Sequence, residues 1–145
     1  MQFKVESRIG VVAPPERLWS FIADLASWDQ WNPVETGVSG AVGYGGAITL
    51  TERIPGLPER AVTAKVGDWT PNSQLVWIEK RGWLFTVTRF YEIETLGPEN
   101  CILANGMIFS GLRGEGAFEK QRKAIKPAVV SISEALKAAA EASPV

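Results

Sequence analysis

The side chains most able to carry chemistry lie on two apolar segments in the second half of the chain. Alternate residues between Trp83 and Ile93 share one face and are apolar except Arg89 and Tyr91. Asn105 interrupts the next segment in the same way. An arginine on an apolar face needs an anion or hydrogen-bond acceptors, so Arg89 could hold a ligand carboxylate through two hydrogen bonds. The alternative is that Arg89 snorkels outward or pairs with a carboxylate of the protein, for which we considered Glu52, Asp68 and Glu79.

Side chains that could transfer protons are scattered and form no motif. The candidates for general acid–base work are Asp24, Asp29, Glu52, Asp68, Glu79 and Tyr91. Their spacing defines no known catalytic site, although one buried carboxylate is enough for a general base. The chain has no histidine, which excludes a Ser-His-Asp triad, a Cys-His pair and a histidine-ligated metal. We therefore expect no catalytic motif, no metal site and no cofactor.

Charge and hydropathy narrow the classes of partner. The 15 basic and 16 acidic residues give a net charge of −1, so we expect no nucleic-acid partner. The N-terminal residues lack the apolar segment of a signal peptide. Charged residues interrupt the most apolar helical stretch, so we expect no membrane span and a cytoplasmic protein. The single cysteine, Cys101, lies in an apolar strand pattern, which favours a buried and unreactive thiol.

Hydrophobic periodicity and turn residues predict one domain over residues 1–145, with elements in the order β-α-α-β-β-β-β-β-β-α. The predicted strands cover 2–12, 34–39, 47–54, 60–69, 74–80, 83–95 and 101–110. The predicted helices cover 15–25, 27–32 and 115–142. Pro127 lies inside the last of these and should kink or split it. A run of strands between helices predicts an α+β fold with an antiparallel sheet.

Several short motifs then point to a family. They are Ala13-Pro14-Pro15-Glu16-Arg17-Leu18-Trp19, Asp24, Trp28, Trp31-Asn32-Pro33, Gly43 to Gly46, Leu75-Val76-Trp77, Phe109-Ser110-Gly111-Leu112 and the long closing helix. Together with the element order, they resemble the helix-grip superfamily that is also called SRPBCC or START-like, in its polyketide cyclase/dehydrase-like branch. The resemblance covers essentially the whole chain. It implies a curved antiparallel sheet of about seven strands wrapped on a long C-terminal helix, with two short helices after the first strand.

The resemblance also implies a cavity between the concave face of the sheet and the last helix. Close bacterial relatives often carry His-Gly-Glu before Phe-Ser-Gly, whereas this chain has Asn105-Gly106-Met107. Both the imidazole and the carboxylate are therefore replaced. If those groups move protons in the relatives, this chain has lost that function. If they only set the polarity of the cavity, we expect a more apolar ligand.

Strand parity and the resemblance together predict which residues line the cavity. The predicted ligand-binding residues are Trp83, Phe85, Arg89, Tyr91, Leu103, Asn105, Met107, Phe109, Phe118 and Ile125. Plain core packing is the alternative for the apolar members, and a structural amide is the alternative for Asn105. Trp28 and Trp31 either cover the cavity mouth or, as we favour, fasten the short helix to the sheet.

Three functions remain open from the sequence. The first is a carrier or sensor that binds a small apolar molecule, such as a lipid, a polyketide or an aromatic metabolite. The second is a cyclase/dehydratase-type enzyme, in which the cavity shapes a reactive chain and few catalytic groups are needed. The third is a protein-interaction module, which a large exposed apolar patch would favour. The sequence favours the first and leaves the oligomeric state open.

Overall fold

The computed structural model describes residues 3–43 and 45–142. Seven antiparallel strands form one sheet in the order β1-β7-β6-β5-β4-β3-β2. The strands are β1 (Phe3–Val11), β2 (Glu35–Gly40), β3 (Ala47–Glu52), β4 (Arg60–Thr70), β5 (Gln74–Arg81), β6 (Phe85–Gly97) and β7 (Asn100–Ser110). The helices are α1 (Pro15–Ala23), a 3-10 helix (Leu25–Gln30) and α2 (Gly114–Glu141). The α+β helix-grip architecture predicted from the sequence is confirmed.

Most predicted boundaries lie within two residues of the observed ones. One difference affects the site, because β6 begins at Phe85 and Trp83 lies in the turn before it. Of the two outcomes predicted for Pro127, a kink or a split, the split is wrong, since α2 runs without a break through this residue. Pro127 leaves the carbonyl group of Lys123 without its helical hydrogen bond, and both residues lie on the exposed side of the helix. Gln2 of the first predicted strand and Tyr44 of the glycine-rich turn lie outside the described residues.

The long helix α2 lies over one half of the sheet. It packs mainly against β1 and β7, through buried residues that recur at helical spacing from Ile125 to Leu136. Its C-terminal end is held by Arg17 of α1, which donates hydrogen bonds to the carbonyl oxygens of Ala140 at 2.6 Å and Ala142 at 2.8 Å. These bonds satisfy acceptors that a helix leaves free at its last turn. The C-terminal half of α2 is therefore firmly attached to the rest of the fold.

The 3-10 helix and its residue Trp28 pack against the other half of the sheet. The 3-10 helix packs against β2, and the fully buried Trp28 lies against both Trp77 of β5 and Tyr91 of β6. The indole of Trp28 donates to the carbonyl oxygen of Ile22 at 3.1 Å. These contacts support the reading of Trp28 as core that fastens the short helix to the sheet. Among the described helices, none is long and apolar enough to cross a membrane.

Candidate functional site

A buried ion pair crosses the concave face of the sheet. Arg89 of β6 donates from Nε and Nη2 to the two carboxylate oxygens of Glu35 on β2, each at 3.0 Å. Its Nη1 donates to the carbonyl oxygens of Phe90 at 2.9 Å and Gly106 at 3.0 Å. The guanidinium is thus engaged on all sides by the protein and is not available to hold a ligand carboxylate. The partner is Glu35, not the Glu52, Asp68 or Glu79 considered from the sequence.

Asn32 and Tyr91 complete the surroundings of Glu35. The hydroxyl of Tyr91 donates to Glu35 Oε1 at 2.6 Å, and Asn32 Nδ2 donates to the same oxygen at 3.2 Å. Asn32 Oδ1 accepts from the backbone N–H groups of Val34 and Glu35 at 2.9 and 2.8 Å. This turn, made by Asn32 just before Pro33, fixes where β2 starts and aims Glu35 inward.

The pKa values of this group follow from burial and pairing. Burial by itself lowers the pKa of Arg89, but Glu35, together with Tyr91 and Glu52, more than offsets it, so the pKa lies above its usual value. Burial raises the pKa of Tyr91 well above its usual value, against the opposing effect of Arg89. Arg89 is therefore charged and Tyr91 neutral throughout the physiological range. The pair is a structural element and supplies no free acid or base.

A second charged group lies beside the first on the concave face. Arg60 of β4 donates from Nη2 to Glu79 Oε1 and Oε2 at 2.8 and 2.6 Å, and from Nη1 to Oε2 at 3.2 Å. Arg81 of β5 donates from Nε to Glu79 Oε1 at 3.1 Å. Two arginines therefore share the single carboxylate of Glu79, which is itself buried. We call these three residues together with Glu52 the mouth cluster.

Glu52 is the member of the mouth cluster that lacks a close partner. Only 7% of the residue is exposed, yet its carboxylate accepts no hydrogen bond from any described residue. The nearest guanidinium nitrogens are Arg60 Nε at 3.7 Å and Arg81 Nη2 at 3.8 Å. Burial raises the pKa of Glu52, and these two arginines only partly oppose the effect. Among the five carboxylate candidates from the sequence, Glu52 is thus the one that is buried and accepts no hydrogen bond from a described residue.

The interior between the charged groups is almost closed. The cavity onto which Glu35, Glu52 and Arg89 open has a volume of about 10 Å³, which is roughly the space of one water molecule. Its other lining residues are Leu50, Val62, Trp77, Glu79, Arg81, Val87 and Met107. Half of the ten lining residues are charged. The cavity that the resemblance implies is therefore almost closed in this conformation.

The structure brings most of the predicted ligand-binding residues to the interior. Parity placed the odd-numbered residues of β6 and β7 inward, and their burial agrees. Those that are buried are Arg89, Tyr91, Leu103, Asn105, Met107, Phe109 and Ile125. Phe85 and Phe118 are half-buried against Phe109, at ring-centroid distances of 6.0 and 6.1 Å. Their role in binding a ligand remains a prediction.

Trp83 is the exception and does not reach the interior. It is 81% exposed and lies in the turn between β5 and β6. Strand parity fails here because the strand starts two residues later, and a turn residue need not follow the alternation. Leu112 in the neighbouring β7–α2 connection is also exposed, at 78%. The two connections touch, since the backbone N–H of Arg113 donates to the carbonyl oxygen of Leu84 at 2.8 Å.

Asn105 joins β7 to the long helix. Its Nδ2 donates to Ser133 Oγ at 2.7 Å and to the carbonyl oxygen of Val129 at 3.1 Å. Ser133 in turn donates to Ser7 Oγ of β1 at 3.1 Å. The amide oxygen Oδ1 of Asn105 is fully buried and has no partner among the described residues. The amide is therefore structural through its nitrogen, while its oxygen is free to accept a hydrogen bond.

The turn between β3 and β4 joins Glu52 to Arg60 of the mouth cluster and lies against the first half of α2. We call residues 53–59 the cover turn. It buries Ile54, and it approaches α2 so closely that a Cβ atom on Gly56 would lie 3.6 Å from that of Ala124. Outside this contact is a surface groove of about 350 Å³. It is lined by Pro33, Val34, Pro55, Lys123, Ala124, Pro127, Ala128 and Ser131.

Sequence reasoning missed four residues of the site. Glu35, Asn32, Arg60 and Arg81 were not proposed, although Glu52 and Glu79 were. Asn32 carried a signal, because an Asn before Pro at the start of a strand is typical of a side chain that accepts backbone hydrogen bonds. Glu35 carried none, since its partner on β6 is separated from β2 by three strands.

Comparisons with known proteins agree with this fold. The aromatase/cyclase Zhui from Streptomyces sp. R1128 superposes with a TM-score of 0.78 at 18% identity, over 97% of this chain and 94% of that one. A START superfamily protein from Mycobacterium smegmatis gives 0.74 at 20% identity, over 95% and 97%. Norcoclaurine synthase from Thalictrum flavum gives 0.74 at 10%, over 99% and 96%. At these identities the likeness extends to the fold alone.

The family is identified from the sequence. No curated protein matches the chain. The model of the family described as polyketide cyclase / dehydrase and lipid transport matches residues 2–141, nearly the whole chain. The protein therefore belongs to the polyketide cyclase/dehydrase and lipid transport family, and its fold is the helix-grip fold.

Proposed function

We propose that the protein binds a small, largely apolar molecule between the concave face of the sheet and α2, as a carrier or sensor. Binding requires the cover turn and the adjoining part of α2 to separate, since the closed interior has a volume of only about 10 Å³. Sites for small molecules usually measure about 300–1,000 Å³. In the observed conformation the proposed binding site is therefore closed.

The observation that carries the proposal is the set of buried polar groups without partners in this interior. Buried polar atoms in folded proteins are nearly always hydrogen-bonded, and each exception needs a cause. Here Arg60 Nε and Asn105 Oδ1 are fully buried without a hydrogen-bond partner among the described residues. Glu52 is 7% exposed and lies 3.7 and 3.8 Å from two guanidinium nitrogens, beyond hydrogen-bond length. All three lie on strands of the concave face. Groups left unsatisfied in this way suit a site whose partner is a bound molecule.

The position of the surface groove beside the cover turn supports a route from this groove to the interior. Val34 lines the groove and precedes Glu35, while Pro55 lines it and follows the mouth cluster residue Glu52 by three positions. The cover turn therefore has the groove on one side and the polar interior on the other. A backbone hydrogen bond from Arg53 to Val34 at 2.8 Å and the packing of Ile54 hold the turn in place. Displacing this short segment would join the two spaces.

An enzyme of the cyclase/dehydratase type is a second candidate, and Glu52 is the observation that favours it. A general base works best when its pKa is near the operating pH, and burial shifts the pKa of Glu52 in that direction. The carboxyl group also opens onto the cavity. In this reading Glu52 removes a proton from an acidic carbon of the bound molecule, while Arg60 and Arg81 stabilise the negative charge that develops.

The test is to identify what the protein carries. The protein is purified natively, and the small molecules extracted from it are compared by mass spectrometry with those from an unrelated protein prepared in the same way. We expect one apolar compound, or one series, to be enriched reproducibly. If no compound is enriched, and added aromatic and lipid probes do not bind, the proposed function is wrong. Turnover of the enriched compound that is lost in Glu52→Gln would instead favour the enzyme.

A further inference from the structure

All three arginines near the interior are already committed to carboxylates of the protein. Arg89 is held by Glu35, and both Arg60 and Arg81 are held by Glu79. An anionic ligand would either break one of these pairs, leaving a buried carboxylate uncompensated, or accept from Arg60 Nε, which has no partner among the described residues, and lie beside the Glu52 carboxylate, which is 3.7 Å from that nitrogen. The geometry therefore disfavours a ligand that carries a carboxylate or a phosphate at this end of the site.

Glu52, in contrast to the arginines, lacks a hydrogen-bond partner among the described residues and requires a donor. The carboxylate is nine-tenths buried, faces the cavity and lacks a hydrogen-bond donor within reach. The separations of 3.7 and 3.8 Å from the nearest guanidinium nitrogens exceed hydrogen-bond length. A small donor that enters the cavity can therefore reach Glu52 without displacing any existing hydrogen bond to it.

The charges around Glu52 determine which donor fits. Glu35, Glu52 and Glu79 face Arg60, Arg81 and Arg89, so the cluster is balanced when all six groups are ionised. A cationic donor would add an unbalanced charge next to the arginines, whereas a neutral hydroxyl adds none. The available volume of about 10 Å³ also matches a single oxygen atom with its hydrogen.

We infer that Glu52 is the polar recognition point of the interior, and that it selects a neutral ligand with a hydroxyl group that donates a hydrogen bond to its carboxylate. This inference rests on the proposed function. The apolar body of the ligand lies in the space that opens when the cover turn separates from α2, and the hydroxyl takes the place next to Glu52. The site thus prefers an alcohol or a phenol to the corresponding ether or acid.

Three probes that share one ring system separate these possibilities. They are 2-naphthol, 2-methoxynaphthalene and 2-naphthoate, and binding is followed by NMR through the indole signal of the buried Trp77. We expect the wild-type protein to bind 2-naphthol roughly tenfold or more tightly than the ether, because the hydrogen bond involves a charged acceptor. We expect 2-naphthoate to bind more weakly than either.

Variants at residue 52 test whether Glu52 causes the preference for 2-naphthol over the ether. In Glu52→Leu the affinities for 2-naphthol and the ether should agree within about twofold, and in Glu52→Gln they should differ less than in the wild type. The control variant Glu94→Gln alters an exposed carboxylate paired with Arg8 and should keep the full preference. Thermal unfolding and the ether affinity of each variant show whether the fold and the site are intact.

The outcomes distinguish this inference from the proposed function. If both neutral probes bind the wild type equally, or if the preference survives in Glu52→Leu, Glu52 is not the recognition point, while interior binding stands. If 2-naphthoate binds most tightly, an arginine is free to hold anions and the inference is wrong. If none of the probes binds, the proposed function fails and the inference fails with it.

Discussion

Arg89 of β6 and Glu35 of β2 are joined by two hydrogen bonds of 3.0 Å, although β5, β4 and β3 lie between their strands in the sheet. Four steps between neighbouring strands would separate them by roughly 19 Å in a flat sheet. The pair therefore forms only because the sheet is strongly curved. It connects the two halves of the concave face directly across the interior.

Breaking this pair should destabilise the protein severely. Removing one partner leaves a buried charge without compensation, so Arg89→Met and Glu35→Gln should each lower the free energy of unfolding by about 3–5 kcal/mol. Urea denaturation measures the change. The matched control is the exposed pair of Arg8 and Glu94 on the outer face, where Arg8→Met should cost less than about 1 kcal/mol. Equal effects at the two pairs would show that the Arg89 pair is not structural.

The raised pKa of Glu52 predicts that its contribution to stability changes with pH in the opposite direction to that of a salt-bridged carboxylate. Because its pKa is raised in the folded state, the folded protein binds more protons than the unfolded chain over a range that starts near pH 4.3 and extends upward to the raised pKa. Its contribution to stability is therefore present below that range and is lost as the pH rises through it. The groups that face Glu52 are Arg81 and Arg60, with Glu35 and Glu79.

Urea titrations across this pH range should show that Glu52→Gln loses less stability than the wild type as the pH rises. At neutral pH the variant should be as stable as the wild type or more so. Glu94→Gln provides the control, since its parent carboxylate is exposed. A Glu52 carboxyl that titrates by NMR at or below the usual value for glutamate would contradict the assignment.

The chain predicts the fold and the inward residues of the central strands well, because both follow from local rules. Alternation on β6 and β7 and the helical spacing of α2 place Tyr91, Asn105 and Ile125 inside without knowledge of any distant contact. The pairing of Arg89 with Glu35 could not be predicted in this way, since it depends on curvature summed over five strands. The closure of the interior could not be predicted from the sequence either, because cavity volume depends on how side chains pack together.

Gly106 should tolerate no side chain. A Cβ atom there would lie 2.0 Å from the carbonyl oxygen of Val5 and 2.9 Å from Cα of Glu6, and both belong to backbone. Gly106→Ala must therefore shift β1 or β7 and disturb the carbonyl group that binds Arg89, at a cost of about 3 kcal/mol or more. Gly10→Ala on the same pair of strands meets no atom within 4 Å and serves as the control in urea denaturation.

Trp83 should be dispensable for both folding and binding. Trp83→Ser removes a side chain that is 81% exposed, so its unfolding free energy should change by no more than about 0.5 kcal/mol. Affinity for 2-naphthol should also be unchanged. Trp77→Leu, at a position that is 2% exposed, provides the contrast and should be strongly destabilising. A loss of 2-naphthol binding in Trp83→Ser would show that Trp83 is a ligand-binding residue.

The central claim is that a ligand reaches the interior when the cover turn separates from α2, and a reversible lock tests it most directly. In Gly56→Cys/Ala124→Cys the two Cβ atoms would lie 3.6 Å apart, within the range of about 3.5–4.5 Å found in disulfides. Gly56 has a φ of 95°, so a cysteine there is strained. The reduced form of the same variant is therefore the reference. Cys101 is buried and should not interfere.

The measurement is the affinity of this double variant for 2-naphthol in the oxidised and the reduced state, with circular dichroism confirming that both are folded. We predict that oxidation weakens binding at least tenfold and that reduction restores it. The same affinity in both states would contradict the claim, because the ligand would then bind without the cover turn leaving α2.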